Sequence, residues 1–393
     1  MNVPRLRFKD VDEREFPEWE EKKLGEVASF IKDGTHGTHQ DTVNGEYFLL
    51  SAKNIKNGGI YHDESDRKIS KIEFEAIYKN YKLIDGDVLL SVVGTIGRVA
   101  IYSSIFHNVA FQRSVAFFRF KSENSRFMAQ LFTTNKFQNA LLTNQVVSAQ
   151  PGIYLGDLAK IQINLPSAKE QTKIANFLTA IDEKIFQLTQ KYDLLVQSKK
   201  GVMQQIFSQK LRFRDDDGGE FPEWEDKTID AVAEVTTGDK DTQNKIDDGA
   251  YPFFVRSQTV ERINSYSFDG EAILTSGDGV GVGKNYHYII GKFDFHQRVY
   301  CLHSFKIGVN GRFIFHYFSE HFNKRVMQLS AKNSVDSVRR SMVTDMPIYI
   351  PTYQEQTKIA NFLTAIDDKI TLTKTQLDAV KLYKKGLLQQ LFV

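Results

Sequence analysis

Two short segments place the same pair of polar side chains in matching surroundings: FQRSV sets Gln112 beside Arg113, and FHQRVY sets Gln297 beside Arg298. Glutamine and asparagine can form paired hydrogen bonds to adenine, and arginine or lysine can do so to guanine, so these residue types suit the reading of base edges. The same pairs also suit a solvated strand end or a surface ion pair. Two further segments, SAKN from Ser51 and RSQ from Arg256, each follow an apolar run, and KDGTHGTHQ from Lys32 offers backbone amides and hydroxyls to phosphates. SVRR, from Ser337 to Arg340, is another candidate for phosphate or base contact. His36 and His39 have the spacing of a metal pair, but no third ligand stands near them.

Catalytic chemistry finds little support. The glycine-rich run SGDGVGVGK, from Ser276 to Lys284, follows a strand-like segment but leads into NYHYII, another strand, and not into a helix whose N-terminus could hold pyrophosphate. It is expected to be a hairpin turn close to nucleic-acid backbone. There is no N/D-P-P-Y/F segment of an amino-group methyltransferase, since NLPS and DMPI do not fit, no Walker loop and no nuclease-like carboxylate cluster. The expectation is a chain that binds and positions something else.

Composition sets the outer limits. The chain has 393 residues and a single cysteine, Cys301, which excludes internal disulfides and makes a reducing, cytoplasmic setting the expected one. The opening MNVPRLRFKD lacks a basic segment followed by an apolar run, and no stretch has the roughly 18 apolar residues of a membrane helix. A soluble protein of two or three domains is expected, with 41% hydrophobic residues to fill their cores. A net charge of +2 neither demands nor forbids nucleic acid.

The elements that must position these residues are written as a repeat. EFPEWE starts at Glu15 and again at Glu220; LRFKD at Leu6 returns as LRFRD at Leu211; EQTKIANFLTAID starts at Glu170 and again at Glu355. The first copy is the longer, and the extra residues lie between Asn57 and Leu83. There Ser70 and Glu73 of SKIEFEAIYKN have capping-box spacing, which predicts an added helix. QQIFSQKLRFRD runs unbroken through the middle, while QQLFV closes the chain and PRLRFKD opens it. Such a pattern is that of a two-module ring cut once, and it predicts that the chain ends meet.

Ser167 with Glu170, and Thr352 with Glu355, carry the S/T-x-x-E signature of a helix start. From there apolar residues advance in steps of four and three: Ile174, Leu178, Ile181, Ile185, Leu188, Tyr192, Leu195, Lys199, Val202, Ile206, and in the second copy Ile359, Leu363, Ile366, Ile370, Thr373, Leu377, Val380, Lys384, Leu387, Leu391. This is a coiled-coil seam, interrupted by a lysine at the same step of each copy. Each helix should be about 60 Å long at 1.5 Å per residue. From Glu170 to Ile185 only Glu183 changes, to Asp368, so both copies are expected to touch each other and one common partner. The intervening modules differ more. LGEVASFI, RFMAQLFTTNKFQNALL and RFIFHYFSEHFNKRVMQL read as helices, and YFLL, DVLLSVV, VAIY, AFFRF, AILTS, YHYII and MPIYI as strands.

Two divergent modules, two near-identical helices, a circular repeat and the segments GDVLLSVVGTIG and FQRS together resemble the specificity subunit of type I restriction-modification enzymes. The resemblance implies an α/β (α+β) fold with two strand-rich target recognition domains joined by two long antiparallel coiled-coil helices in a pseudo-twofold circular repeat. It divides the chain into 1–166, completed by the N-terminal segment 1–22, a first helix 167–210, a second recognition domain 211–351 and a second helix 352–393. It implies that each module reads one half of an asymmetric, bipartite target in double-stranded DNA. The helices then set the gap and dock two methylation subunits, with restriction subunits in the full complex. No cofactor is expected on this chain; S-adenosylmethionine, ATP and magnesium would act on the partners. Carried over residue by residue, the resemblance nominates Thr35, His36, Lys53, Asn54, Thr95, Arg98, Gln112 and Arg113 for DNA in the first module. In the second it nominates Arg256, Gln258, Lys284, Gln297, Arg298, Arg339 and Arg340. DGVGVGK departs there from GTIGR of the first module. Ile174, Leu178, Ile181, Ile185, Ile359, Leu363, Ile366 and Ile370 form the helix seam or partner face. The alternative is an assembly scaffold whose modules bind protein or peptide.

Overall fold

In a computed structural model of the chain, residues 4–146, 151–329 and 337–393 are described; residues 1–3 of the N-terminal segment lie outside them. The chain forms two compact units. Unit 1 takes residues 1–189 together with 375–393, and unit 2 takes 190–374.

Unit 1 is built on a four-stranded antiparallel sheet in the order Ala28–Asp33, Val115–Phe120, Val88–Ser91, Val99–Ile101. Successive strand residues point to opposite faces, and both faces are covered. Val88, Leu90, Ala116 and Phe118 join the core beneath the helices Ser125–Phe132 and Asn135–Thr143, while Leu89, Val115 and Phe117 join a second core with Phe48, Phe111 and Tyr81. That second core is closed by a smaller sheet, in which Tyr47–Leu50 runs parallel to Val109–Phe111 and antiparallel to Lys68–Ile69. The added helix is Lys71–Asn80, and the Ser70 hydroxyl accepts the Glu73 amide at 3.3 Å.

Two expectations are corrected. LGEVASFI forms one helical turn, Leu24–Val27, and then a strand, because from Ala28 the backbone pairs with Val115–Phe120. RFMAQLFTTNKFQNALL is two helices, since Thr133 closes the first and Thr134 caps the second by accepting the Phe137 amide.

Unit 2 carries a six-stranded sheet in the order Glu234–Thr237, Val299–His303, Phe268–Ser276, Tyr286–Phe295, Tyr251–Phe254, Glu261–Ile263. Its one parallel pairing is between Tyr251–Phe254 and Tyr286–Phe295. Ile273 and Leu302 pack against Phe313, Ile314 and Phe318 of the helix Gly311–Leu329. The glycine-rich run forms the connection of an antiparallel hairpin, Phe268–Ser276 with Tyr286–Phe295.

The long helices are Ala168–Phe207 and Tyr353–Leu391. Each crosses from one unit into the other, so each unit owns a half of both. In unit 1, Ile174 and Leu178 share a core with Leu391 and Leu387, and Lys384 Nζ donates to Asp182 Oδ1 at 2.6 Å. In unit 2, Ile206 and Met203 share a core with Ile359 and Leu363, and Lys199 Nζ donates to Asp367 Oδ1 at 2.6 Å. As numbers rise along one half they fall along the other, so in each unit the halves run antiparallel. Unit 1 also joins the two ends of the chain: the Leu6 amide donates to Gln390 O at 3.0 Å, and Asn164 Nδ2 to Val393 O at 3.2 Å.

Candidate nucleic-acid interface

The start of each long helix is a buried clamp, made twice from the same residue types. Glu170 and Glu355 are fully buried. Arg7 grips Glu170 with two donors, Nε at 3.0 Å and Nη2 at 2.7 Å, and Arg212 grips Glu355 with Nε at 3.2 Å and Nη2 at 2.7 Å. Each guanidinium also reaches a proline carbonyl, Pro17 or Pro222, and each partner carboxylate raises the arginine's already high pKa. Gln171 and Gln356 repeat a bridge of their own, from Pro166 O or Pro351 O to the amide of Asn124 or Asn310. Much of the duplicated peptide is thus duplicated to make the same internal contacts.

The contacts leave one stripe unexplained. Asn176, Ala180 and Lys184 recur as Asn361, Ala365 and Lys369, and all six are exposed. Their spacing of four sets each trio along one helix face. Of the seam residues, Ile174, Leu178, Ile359 and Leu363 are buried, and Ile181, Ile185, Ile366 and Ile370 are half-buried.

In unit 1 four loops converge at one end of the sheets. Gln112 and Arg113 occupy the tight turn between Val109–Phe111 and Val115–Phe120, closed by the Val115 amide on Gln112 O at 3.1 Å. The loop after Asp33 is laced onto that turn, with Thr35 N donating to Phe111 O at 2.8 Å and Arg113 N to Thr35 O at 3.0 Å. Gly34 permits the approach, since a Cβ there would collide with the Phe111 carbonyl. Ser114 Oγ accepts the Ala52 amide, which brings in the third loop, and Arg98 Nη1 sits 3.4 Å from Ala52 O and 3.3 Å from Ile55 O, which brings in the fourth.

These contacts sort the nominated residues. Gln112 is half-buried, and Arg113 is exposed, its guanidinium without a hydrogen-bond or ion-pair partner among the described residues. Thr95 is exposed on the loop between Gly94 and Gly97, both with positive φ. His36 is exposed and bonded to Asp33, Lys53 is exposed and paired with Asp66, and Thr35 is bonded to His39. Asn54 is a correction: it is 4% exposed, its Nδ2 donates to Tyr61 O and its Oδ1 accepts the Ser51 amide, so the amide staples its own turn and faces away from solvent. Arg98, half-buried over three backbone carbonyls, is likewise committed in part to the loop.

Unit 2 repeats the plan with other side chains. The Gln297 amide donates to Lys240 O at 2.8 Å, and Gly238 meets Phe295 as Gly34 meets Phe111, which corrects the pairing read from the sequence by one residue: His296 takes the place of Gln112, Gln297 that of Arg113 and Arg298 that of Ser114. Gln297, Arg298, Arg256, Gln258, Lys284, Arg339 and Arg340 are all exposed. Gln297 Nε2 touches Asp241 at 3.3 Å, Arg340 Nη2 donates to Val235 O, and Arg256 and Arg298 share Asp278. Asp278, in the glycine-rich loop, was not singled out from the sequence; only the loop itself was. Another group missed there is a cavity of about 390 Å³ in unit 1, where Lys136 faces Lys381, Lys384 and Lys385. Among the described residues no set of three potential ligands is placed to hold a metal, and no helix is long and apolar enough to cross a membrane. Burial pushes the Cys301 thiol up to about 12.

The family described as type I restriction modification DNA specificity domain matches residues 17–195 and again 222–382. The type I restriction enzyme MjaVIII specificity subunit of Methanocaldococcus jannaschii is 24% identical over 429 residues, covering 98% of this chain and 94% of that protein. The EcoDI specificity subunit of Escherichia coli is 28% identical over 163 residues, 41% of this chain and 35% of that one. The crystal structure of a type I restriction-modification S subunit from M. genitalium shares the fold at a TM-score of 0.71 and 14% identity, covering 100% of this chain and 99% of the other.

Proposed function

The chain belongs to the type I restriction-modification DNA specificity family, and from that premise we propose that its two units read the two unlike halves of a split DNA target for partner subunits that do the chemistry. The observation that carries this is the pair of loop clusters, alike in backbone and unlike in side chain: the same turn presents Gln112, Arg113 and Ser114 in unit 1 where unit 2 has His296, Gln297 and Arg298. A shared frame with different base-reading groups gives two different half-sites. Exposed Arg113, Arg298, Arg256, Gln258, Lys284 and Thr95 are the groups for base edges and phosphates.

The duplicated, exposed Asn176-Ala180-Lys184 stripe and its copy supply two equivalent seats, which suits two copies of a methylation subunit. In this reading the chain is not itself an enzyme. Adenine methylation with S-adenosylmethionine, and restriction with ATP and magnesium, belong to the partners. The long helices set the gap between half-sites.

The test is to co-express the full chain with its methylation subunit in a host lacking other adenine methylation and to map methyladenine across the genome. One split motif with unlike halves is the expected result. A stable complex that methylates nothing would instead favour a protein-binding scaffold.

A further inference from the structure

Asp278 stands where two arginines from separate loops meet. Its Oδ1 lies 3.1 Å from Arg256 Nη1 and its Oδ2 3.9 Å from Arg298 Nε. The carboxylate is largely covered, at 23% exposure, whereas the arginine side chains are 44% and 67% exposed. The backbone around it is pinned from several sides. Gly277 N donates to Arg298 O at 2.7 Å, Val338 N donates to Gly277 O at 2.7 Å, and Asn285 Nδ2 donates to Arg256 O at 3.3 Å. His296, buried behind the turn, accepts the Arg298 amide at Nδ1 at 2.9 Å.

A bare carboxylate on a DNA-facing surface would be repelled by phosphate. Flanked by two guanidiniums, it leaves one net positive charge; its hydrogen bond directs the Arg256 fork, and its charge draws Arg298 to the same spot. Arg256 spends only Nη1 on the carboxylate and Arg298 approaches it with Nε, so each keeps further N–H donors for a ligand. An arginine already held in place loses less freedom on binding, and its planar fork matches the O6 and N7 acceptors of guanine. Unit 1 has no counterpart: the strand registers place Ala52 and Ser114 where unit 2 has Arg256 and Arg298.

Building on the reading of unit 2 as a DNA reader, we propose that Asp278 is a positioning residue that aims Arg256 and Arg298 at guanine, so that the half-site read by unit 2 contains a G·C pair recognised through this triad. The experiment is methyladenine mapping with the full chain and its methylation subunit, comparing wild type with Asp278→Asn, Arg298→Lys and Arg256→Lys. Arg298→Lys and Arg256→Lys keep the charge but lose the fork, which separates base reading from phosphate contact. The expected result is a G·C pair in the second half-site, with discrimination there falling roughly five- to a hundredfold in Asp278→Asn and in at least one lysine variant, while the first half-site stays unchanged. A second half-site without a G·C pair overturns the proposal. So does a uniform loss of methylation over all sites in both lysine variants, or an unrelaxed motif in Asp278→Asn. Should Asp278→Asn give no methylation through misfolding, relaxation at the G·C pair in the lysine variants decides for the triad and its absence against. Wild type that methylates nothing fails the parent reading, whereas a split motif without that G·C pair fails only this one.

Discussion

Glu170 and Glu355 each hold one arginine, but Glu355 also accepts an indole: Trp224 Nε1 donates to its Oε2 at 3.2 Å, while Trp19 Nε1 has no partner among the described residues. Breaking a buried pair leaves an uncompensated charge, at a cost of about 3–5 kcal/mol. Arg7→Ala should therefore destabilise unit 1 by that order, and Arg212→Ala should cost unit 2 less, because the indole remains. The two tryptophans, one beside each clamp, allow each unit to be followed in denaturant by the fluorescence of a single-tryptophan variant. A second asymmetry lies at His316, where unit 1 has Gln130. Gln130 Nε2 donates to Asp182 at 2.6 Å, whereas among the described residues neither ring nitrogen of the buried His316 has a hydrogen-bond partner, Nδ1 standing 3.9 Å from Asp367 Oδ2. Burial, helped by Lys199 and Arg312, pushes that imidazole down to about 3. The unfolded chain takes up the proton near its ordinary value of about 6.5 and the folded chain does not, so stability is intact above that pH and falls below it, by about 2 kcal/mol at pH 5. His316→Gln should abolish this acid sensitivity, as read from unfolding midpoints between pH 7 and 5. The first asymmetry was not legible in the sequence, because Trp19 and Trp224 sit in identical hexapeptides and only their contacts differ. Asn54 misled for the same reason: its type suits adenine, but Ser51 and Tyr61 consume it.

Along the helices, the sequence steps of four and three identify the covered side, and no residue of either seam is exposed. What spacing alone leaves open is the partner of each interrupting lysine, since Asp182 and Asp367 come from the other helix. Lys384→Asp should weaken unit 1, and adding Asp182→Lys should restore it, with a coupling of about 1 kcal/mol for a pair this exposed, measured by a double-mutant cycle. Strands were legible where apolar runs were bounded by glycine, as in AILTS and YHYII. ASFI misled because its one-turn helix and the following strand are both apolar, and pairing with Val115–Phe120 decides between them. Asp278 was invisible for a further reason: a carboxylate among glycines gains its meaning only from Arg256 and Arg298, which arrive from other strands.

For the whole molecule, the ruler reading predicts that removing one heptad from both long helices narrows the methylated motif's gap and leaves its half-sites unchanged; methyladenine mapping checks this. The repeat also closes on itself. The Leu6 amide donates to Gln390 O as the Leu211 amide donates to Gln205 O, at 3.0 and 3.1 Å. A permutant with its natural ends joined and new ends opened between Gln209 and Lys210 should keep its motif in the same assay. One consequence concerns the order of synthesis. Unit 2 is a continuous stretch of chain, Gln190–Lys374, whereas the core of unit 1 needs Leu387 and Leu391. On the ribosome, the module made second can finish folding first, and the module made first waits with apolar surface uncovered until the last residues emerge, which makes unit 1 the half exposed to aggregation and to chaperones.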